Sequence, residues 1–363
     1  MNLKKTDYIC KAITTDMKQK ILFIINPISG TVSKAGIPEA INDYLDKDKF
    51  DYYIAETSRP GQATELAADA ARDHFAVVVA IGGDGTVNEV GRALTHTDTA
   101  MAIIPCGSGN GLARHLLIPL NVKRSIEIIN ACEIHDLDYG VINDHKFFCT
   151  CGMGFDAFIS FKFAEAGKRG PITYVQQILE KGLSYKPETY ELETEEESKR
   201  YKAFLISIAN ASQYGNNAYI APQASMSDGL MDVVIMEPFD IIEAPQIAID
   251  MFSKTLDKSS RIRSFRTKHL RIHRSSPGPI HYDGEPVMTG PDIDVAIKEK
   301  GIKIVVNPDG NRDQRKPNAI QTAAADLFNE LNAIRDEIAK KTRRGAMLRK
   351  IIQKKLEDNL PQI

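Results

Sequence analysis

The chain has 363 residues, 43% of them apolar, and a formal net charge of −2. That length suits one very large domain or two ordinary ones, with enough apolar material for real cores. The near-neutral balance excludes a general nucleic-acid footprint, and no apolar run approaches the length that crosses a membrane.

From about residue 20 strands and helices alternate. Ile21–Asn26, Tyr52–Glu56, Phe75–Ile81 and Met101–Ile104 read as strands. Pro38–Asp46, Ala63–Asp73, Thr86–Leu94, Leu112–Leu117 and Ser125–Ala131 read as helices. This alternation predicts a doubly wound parallel sheet. After about Asp138 the pattern changes to short strands: Tyr139–Ile142, Lys146–Thr150, Thr189–Thr194, Ala203–Ala209, Met231–Met236, Leu270–Arg274 and Ile302–Val306. Turn signals separate them at Asn143-Asp144, Ser227-Asp228-Gly229 and Asp283-Gly284, which predicts an antiparallel β-sandwich. Helical inserts are expected at Ile172–Leu183 and Ile241–Thr255, and the acidic run Glu193–Glu197 reads as a solvated hairpin. After Pro308, Ile320, Ala324, Leu327, Leu331, Ile334 and Ile338 recur at spacings of 4, 3, 4, 3 and 4, an amphipathic helix. Lys340–Lys355 then carries eight Lys or Arg and no acid. The expected division is an N-terminal extension (1–19), an α/β domain (20–138), a β-sandwich domain (139–308) and a basic helical tail (309–363).

The chemistry concentrates in three turns at the carboxyl ends of the parallel strands, along one sheet edge. They are Asn26-Pro27-Ile28-Ser29-Gly30-Thr31, Gly82-Gly83-Asp84-Gly85-Thr86 and Pro105-Cys106-Gly107-Ser108-Gly109-Asn110-Gly111. Glycine lets backbone N–H groups approach a phosphate, and a helix N-terminus there adds a positive dipole end. Thr86 and Glu89 stand at capping-box spacing, which predicts a helix starting at Thr86. Asp84 in such a turn needs a metal, a substrate proton or a cation to offset its charge. No G-x-x-x-x-G-K-[ST] run occurs, and Gly107-x-Gly109-x-Gly111 follows the fourth strand without an acidic ribose partner, against a dinucleotide fingerprint. The five cysteines lack metal-ligand spacing and the eight histidines form no H-E-x-x-H pair. The thiols are expected to be reduced and the protein cytoplasmic. Met1–Lys20 is polar and has no signal-peptide apolar core.

Together these turns resemble those of the diacylglycerol kinase catalytic-domain superfamily, which includes sphingosine kinases and many bacterial lipid kinases. NAD kinases and phosphofructokinases are distant cousins. The resemblance covers about residues 20–308 and extends to Gly152-x-Gly154-Phe155-Asp156-Ala157, Ala221-Pro222-x-Ala224-x-x-x-Asp228-Gly229-x-x-Asp232 and Asp283-Gly284-Glu285. It implies an α/β plus β fold, a diacylglycerol kinase-like parallel domain followed by a β-sandwich. It implies that ATP is held by Asn26, Ser29, Gly30, Thr57, Gly82, Gly83, Gly85 and Thr86, with Glu89 nearby and Gly107, Ser108, Gly109 and Asn110 beside them. Gln62 stands where a histidine is common.

The resemblance also implies that Asp84, Asp283 and Glu285 converge on the γ-phosphate and the acceptor hydroxyl, with Asp84 favoured as the base. Alone, Asp-Gly-Glu would read as a hairpin turn. Asp228 falls where relatives bind a structural Mg²⁺, Asp156 where the acceptor head group is read, and Lys168 and Arg169 are candidates for phosphate or anionic lipid. The expected activity is ATP- and Mg²⁺-dependent phosphorylation of a primary hydroxyl on a membrane lipid, either diacylglycerol or a long-chain base. Gly107-Ser108-Gly109-Asn110 leans towards the sphingoid base. The alternatives are an NAD kinase-like enzyme and a nucleotide-sensing regulatory protein. The tail is expected to favour peripheral docking on an anionic membrane surface or self-association into a homo-oligomer.

Overall fold

The computed structural model describes residues 18–29, 33–158, 160, 185–240 and 243–310. Four strands run parallel in the order β2-β1-β3-β4: β1 (Gln19–Ile25), β2 (Phe50–Glu56), β3 (Val77–Gly82) and β4 (Ala100–Pro105). β3 and β4 are buried over their whole length, as uninterrupted apolar strands covered on both faces must be. Alternate residues serve opposite cores. Ile21, Phe23, Val77 and Val79 pack on α1 (Ile37–Tyr44) and α5 (Val122–Ala131). Leu22, Ile24, Val78 and Ala80 pack on α2 (Gln62–Arg72), α3 (Asp84–Leu94) and α4 (Gly111–His115).

The same sheet continues antiparallel through β5 (Ile134–Ile142), β6 (His145–Phe147), β8 (Glu188–Glu193), β9 (Ser198–Ala203), β13 (His269–Arg274) and β16 (Asp292–Val305). A second, antiparallel sheet holds β7 (Thr150–Gly154), β10 (Leu205–Ala209), β11 (Met231–Met236), β12 (Ile262–Thr267), β14 (Gly278–Tyr282) and β15 (Glu285–Thr289), ordered β12-β11-β10-β7-β14-β15. Tyr190, Leu270, Ile272 and Val295 of the first sheet meet Met153, Ile206, Val233 and Ile280 of the second in the sandwich core. The outer face of the second sheet carries Phe155, Phe204 and Val234 in a cluster with Ile247 of α6 (Ala244–Ser253).

β16 joins the two lobes. It pairs antiparallel with β13 and β5, and at Ile304 it lies parallel to Met101 of β4. Its register against β5 shifts between Lys298 and Ile302. The buried Asp138 holds that irregularity: Oδ1 accepts from Lys300 N at 2.7 Å and Oδ2 from Gly229 N at 2.8 Å. The sandwich is therefore bonded edge to edge with the parallel sheet.

Several expectations are corrected here. Lys146–Thr150, read as one strand, divides into β6 and β7 in different sheets, and Ala203–Ala209 divides at Phe204 into β9 and β10. A strand that changes sheets keeps its apolar pattern, so the break is invisible in it. β12, β14, β15 and most of β16 were not expected; their mixed polarity and flanking Gly and Pro conceal them. The helix expected at Ile241–Thr255 is α6. The insert Ile172–Leu183 and the tail stripe and basic run lie outside the described residues.

Gly140 faces Phe147 across β5 and β6, and a Cβ there would lie 2.0 Å from the fully buried Phe147 ring. Gly140→Ala should cost about 1–3 kcal/mol, as overpacked cores do. Urea unfolding with an unchanged midpoint would refute this packing constraint.

Candidate active site

The three turns meet at one edge of the parallel sheet. In the first, the Ser29 hydroxyl donates to Asn26 O at 3.0 Å, and Lys34 donates to the Ser29 carbonyl. Asn26 Nδ2 donates to Thr86 Oγ1 at 3.0 Å, tying the first turn to the second. A Cβ on Gly82 would lie 2.4 Å from Thr86 Oγ1 and 3.0 Å from Ser29 Oγ, so the hydroxyls occupy the space a side chain would need. Gly30 lies outside the described residues.

The helix after β3 starts at Asp84, with Gly83 in the N-cap position and no side-chain cap. The Thr86–Glu89 capping box therefore does not form. Thr86 is engaged by Asn26, and Glu89 accepts from Gly61 N at 3.0 Å and Ala63 N at 3.2 Å. Glu89 thus caps α2 rather than its own helix and holds the 57–61 turn in place. Long-range donors have outcompeted the local ones. Thr57 is buried at the end of β2, and Gln62 Oε1 accepts from Ser58 N at 2.7 Å to close that turn.

The second and third turns touch backbone to backbone. A Cβ on Gly107 would come within 2.5 Å of Gly83 Cα. Asn110, at φ +53, accepts from Gly107 N at 2.8 Å and donates back to Gly107 O at 2.7 Å, which folds the turn shut. Ser108 at its tip is exposed. Asp84 crosses the contact: its Oδ2 accepts from Asn110 N at 2.9 Å and its Oδ1 from Gly111 N at 2.6 Å. A Cβ on Gly109 would lie 2.8 Å from Asp84 Oδ2. Desolvation pushes the Asp84 carboxyl up to about 6, against the pull of those two amides and with nearby Asp283 adding to the rise.

The sandwich supplies the opposite wall through the turn between β14 and β15. Asp283 (φ +47) and Gly284 (φ +85) are both left-handed, as a type I′ hairpin turn requires. Asp283 Oδ1 accepts from Cys149 N at 2.8 Å and Thr150 N at 3.2 Å. Its Oδ2 accepts from Phe148 N and Asn88 Nδ2, each at 2.9 Å. Both oxygens are committed, so Asp283 is built as an anchor rather than as a proton acceptor. Desolvation raises its carboxyl despite these donors. Glu285 is exposed and points back across the cleft: a Cβ on Gly85 would lie 3.2 Å from its Oε1. Asn88, which the sequence alone did not single out, is the residue through which α3 grips Asp283. Cys149 and Cys151 are buried, and desolvation raises both thiols well above the ordinary range, which leaves them inert.

The remaining candidates lie outside the three turns or outside the described residues. Asp156 is buried and accepts from the Tyr214 hydroxyl at 2.7 Å. Asp228 pairs with Arg266 at 3.0 Å, and the same guanidinium pairs with Asp232 at 3.1 Å. Asp228 thus has a cationic partner in Arg266. Lys168 and Arg169 lie outside the described residues.

Residues 20–142 match the diacylglycerol kinase catalytic domain, and residues 150–322 match the YegS C-terminal NAD kinase beta sandwich-like domain. The chain belongs to the diacylglycerol kinase catalytic-domain superfamily. Its family is that of the lipid kinases. Among its relatives is a diacylglycerol kinase of Bacillus subtilis, 25% identical over 269 residues that span 72% of this chain and 88% of that protein. Another, from Chromohalobacter salexigens, is named "Probable lipid kinase YegS-like" and is 27% identical over 64% of this chain and 77% of its own length. A crystal structure of a diacylglycerol kinase from Bacillus anthracis superposes with a TM-score of 0.64 at 19% identity, covering 80% of this chain and 97% of that one. That likeness shows a shared fold.

Removing the Asp283 carboxylate strands three backbone amides and the Asn88 amide. Each buried unpaired donor costs about 1–3 kcal/mol. Asp283→Ala should therefore lose at least about 2 kcal/mol of stability together with its activity. An inactive variant with wild-type denaturation would contradict the anchoring role.

Proposed function

We propose that the protein transfers the γ-phosphoryl group of ATP to the primary hydroxyl of a membrane lipid, with Asp84 as the general base. The observation that carries this reading is the Asp84 carboxylate itself. It is fixed by the amides of Asn110 and Gly111, placed among three phosphate-suited turns, and faced by Glu285. A carboxyl raised to about 6 is mostly ionised at neutral pH yet basic enough to take a proton.

The first turn and the N-terminus of α3 offer hydroxyls, Asn26 and free backbone amides to the phosphates. Thr57 and the Glu89-held turn border the nucleotide, and Gly107–Asn110 shape the adjoining wall. Asp84 takes the acceptor proton as the acceptor oxygen bonds to the γ-phosphorus and the bridge to the β-phosphate breaks, releasing ADP. Asp283 positions Glu285 for this step. Asp156 reads the lipid head group in the sandwich lobe.

No group of three or more metal-ligating side chains converges among the described residues. Two carboxylates, Asp84 and Glu285, suit Mg²⁺ arriving with nucleotide, because Mg²⁺ keeps waters and phosphate oxygens and needs few protein ligands. When bound, it would neutralise charge on the phosphates. No helix among the described residues is long and apolar enough to cross a membrane. The acceptor is therefore proposed to be reached from the membrane surface.

Positioned bases contribute roughly 10²–10⁴-fold. Asp84→Asn and Glu285→Gln should each reduce turnover of micellar lipid at least about 100-fold while the protein stays folded. Near wild-type turnover in folded Asp84→Asn would overturn the assignment. A second expectation follows from the raised carboxyl. Since only ionised Asp84 accepts a proton, kcat/KM should fall as pH drops through about 6, and a flat profile between pH 5 and 8 would exclude Asp84 as the titrating base.

A further inference from the structure

Behind the cleft lies a buried cluster of which the phosphoryl-transfer reading uses only Asp156. Asp156 follows β7 and is 8% exposed; His281 on β14 is 1% exposed. His281 sits opposite Gly152 in the β14–β7 register. The two side chains share the space that a side chain at Gly152 would fill, since a Cβ there would lie 3.0 Å from both Asp156 Oδ2 and His281 Nε2. His281 Nε2 is 2.9 Å from Asp156 Oδ2, the oxygen that also accepts from Tyr214. The contact is at ion-pair distance but out of line for a hydrogen bond. Neither ring nitrogen has a hydrogen-bond partner among the described residues. A buried imidazole so poorly satisfied is costly and calls for an explanation.

The cluster is tied to both walls of the cleft. His281 belongs to the hairpin that ends in Asp283 and Glu285. The Tyr214 carbonyl abuts the Gly107–Gly111 turn, whose amides hold Asp84: a Cβ on Gly111 would lie 3.3 Å from it, and one on Gly109 3.7 Å. Tyr214 also meets the His281 ring edge-on, with centroids 6.4 Å apart.

We propose that His281 is an acceptor-specificity residue: seated against Asp156 Oδ2, it leaves the carboxylate one open oxygen, which reads a neutral hydroxylated head group and disfavours a cationic one. The inference rests on the reading of Asp156 as the head-group contact. A bare buried carboxylate attracts an ammonium group strongly. With the imidazole already 2.9 Å from Oδ2, an arriving ammonium finds that oxygen occupied and forfeits much of that attraction. Both protein contacts fall on Oδ2, which leaves Oδ1 to accept from a hydroxyl. The neighbouring hydroxyl of Tyr214 keeps the carboxylate from turning.

The test measures kcat and KM of the full chain for diacylglycerol and for a long-chain amino alcohol in matched detergent micelles. Wild type should favour diacylglycerol. His281→Ala should lower that preference at least about tenfold through the two lipid KM values, with the KM for ATP unchanged, because it reopens Asp156 Oδ2 to an ammonium group. His281→Gln fills more of the space and should shift the ratio the same way, which guards against a folding defect in the alanine variant. An unchanged ratio in both folded variants, or a wild-type preference for the amino alcohol, would overturn the proposal. Asp156→Asn separates the two readings. If it leaves both lipid KM values unchanged, Asp156 does not contact the acceptor and the underlying reading fails. If it raises them while the His281 variants keep the wild-type ratio, the selectivity role alone fails.

Discussion

Four hydrogen bonds on one carboxylate hold the catalytic cleft together. Asp283 receives the amides of Phe148, Cys149 and Thr150 and the side chain of Asn88. The first three belong to the crossing from β6 to β7, where the chain leaves one sheet for the other. The fourth belongs to α3, the helix that begins at Asp84. One side chain thus joins the sandwich hairpin, the inter-sheet crossing and the phosphate-facing helix. A carboxylate can do this because it offers about four acceptor sites and carries charge that strengthens each bond. Glu285, two residues on, inherits its position from this anchor.

The parallel lobe solves a different problem. Three turns must converge closely enough to surround phosphates without side chains filling the space. Gly83 and Gly107 achieve this by direct backbone contact, and Asn110 locks the second of them through a reciprocal pair of bonds. Asp84 is then desolvated by the same close packing, and its raised carboxyl follows from that geometry. The tightness of the turns and the basicity of the proposed base share one cause.

Local patterns and long-range partners compete throughout. Thr86 and Glu89 have the spacing of a capping box, yet one is engaged by Asn26 and the other by the start of α2. Asp228 sits in a turn, and its partner is Arg266 from a distant strand. Gln62 closes its own turn through Ser58. In each case the residue type announced a polar role, and the partner came from a segment distant in sequence or from the fold of the turn itself.

The parallel strands and their helices were legible from the chain alone, because a continuous apolar run followed by an amphipathic helix admits few other arrangements. The glycine turns and Asp84 stood out in the chain for a related reason: a carboxylate among three glycines has little packing to gain, which points to a ligand site. The sandwich was legible as a class but not strand by strand. β14 and β15 are short and mixed in polarity, and the split of Ala203–Ala209 between sheets leaves no mark on its pattern. Tertiary structure alone decided that Asp283 is an anchor, that β16 fuses the two lobes, and that His281 lies against Asp156. Those facts depend on which distant groups reach a given oxygen or strand edge. Side-chain periodicity reports which face of an element is buried, and it carries no information about the partner on the other side.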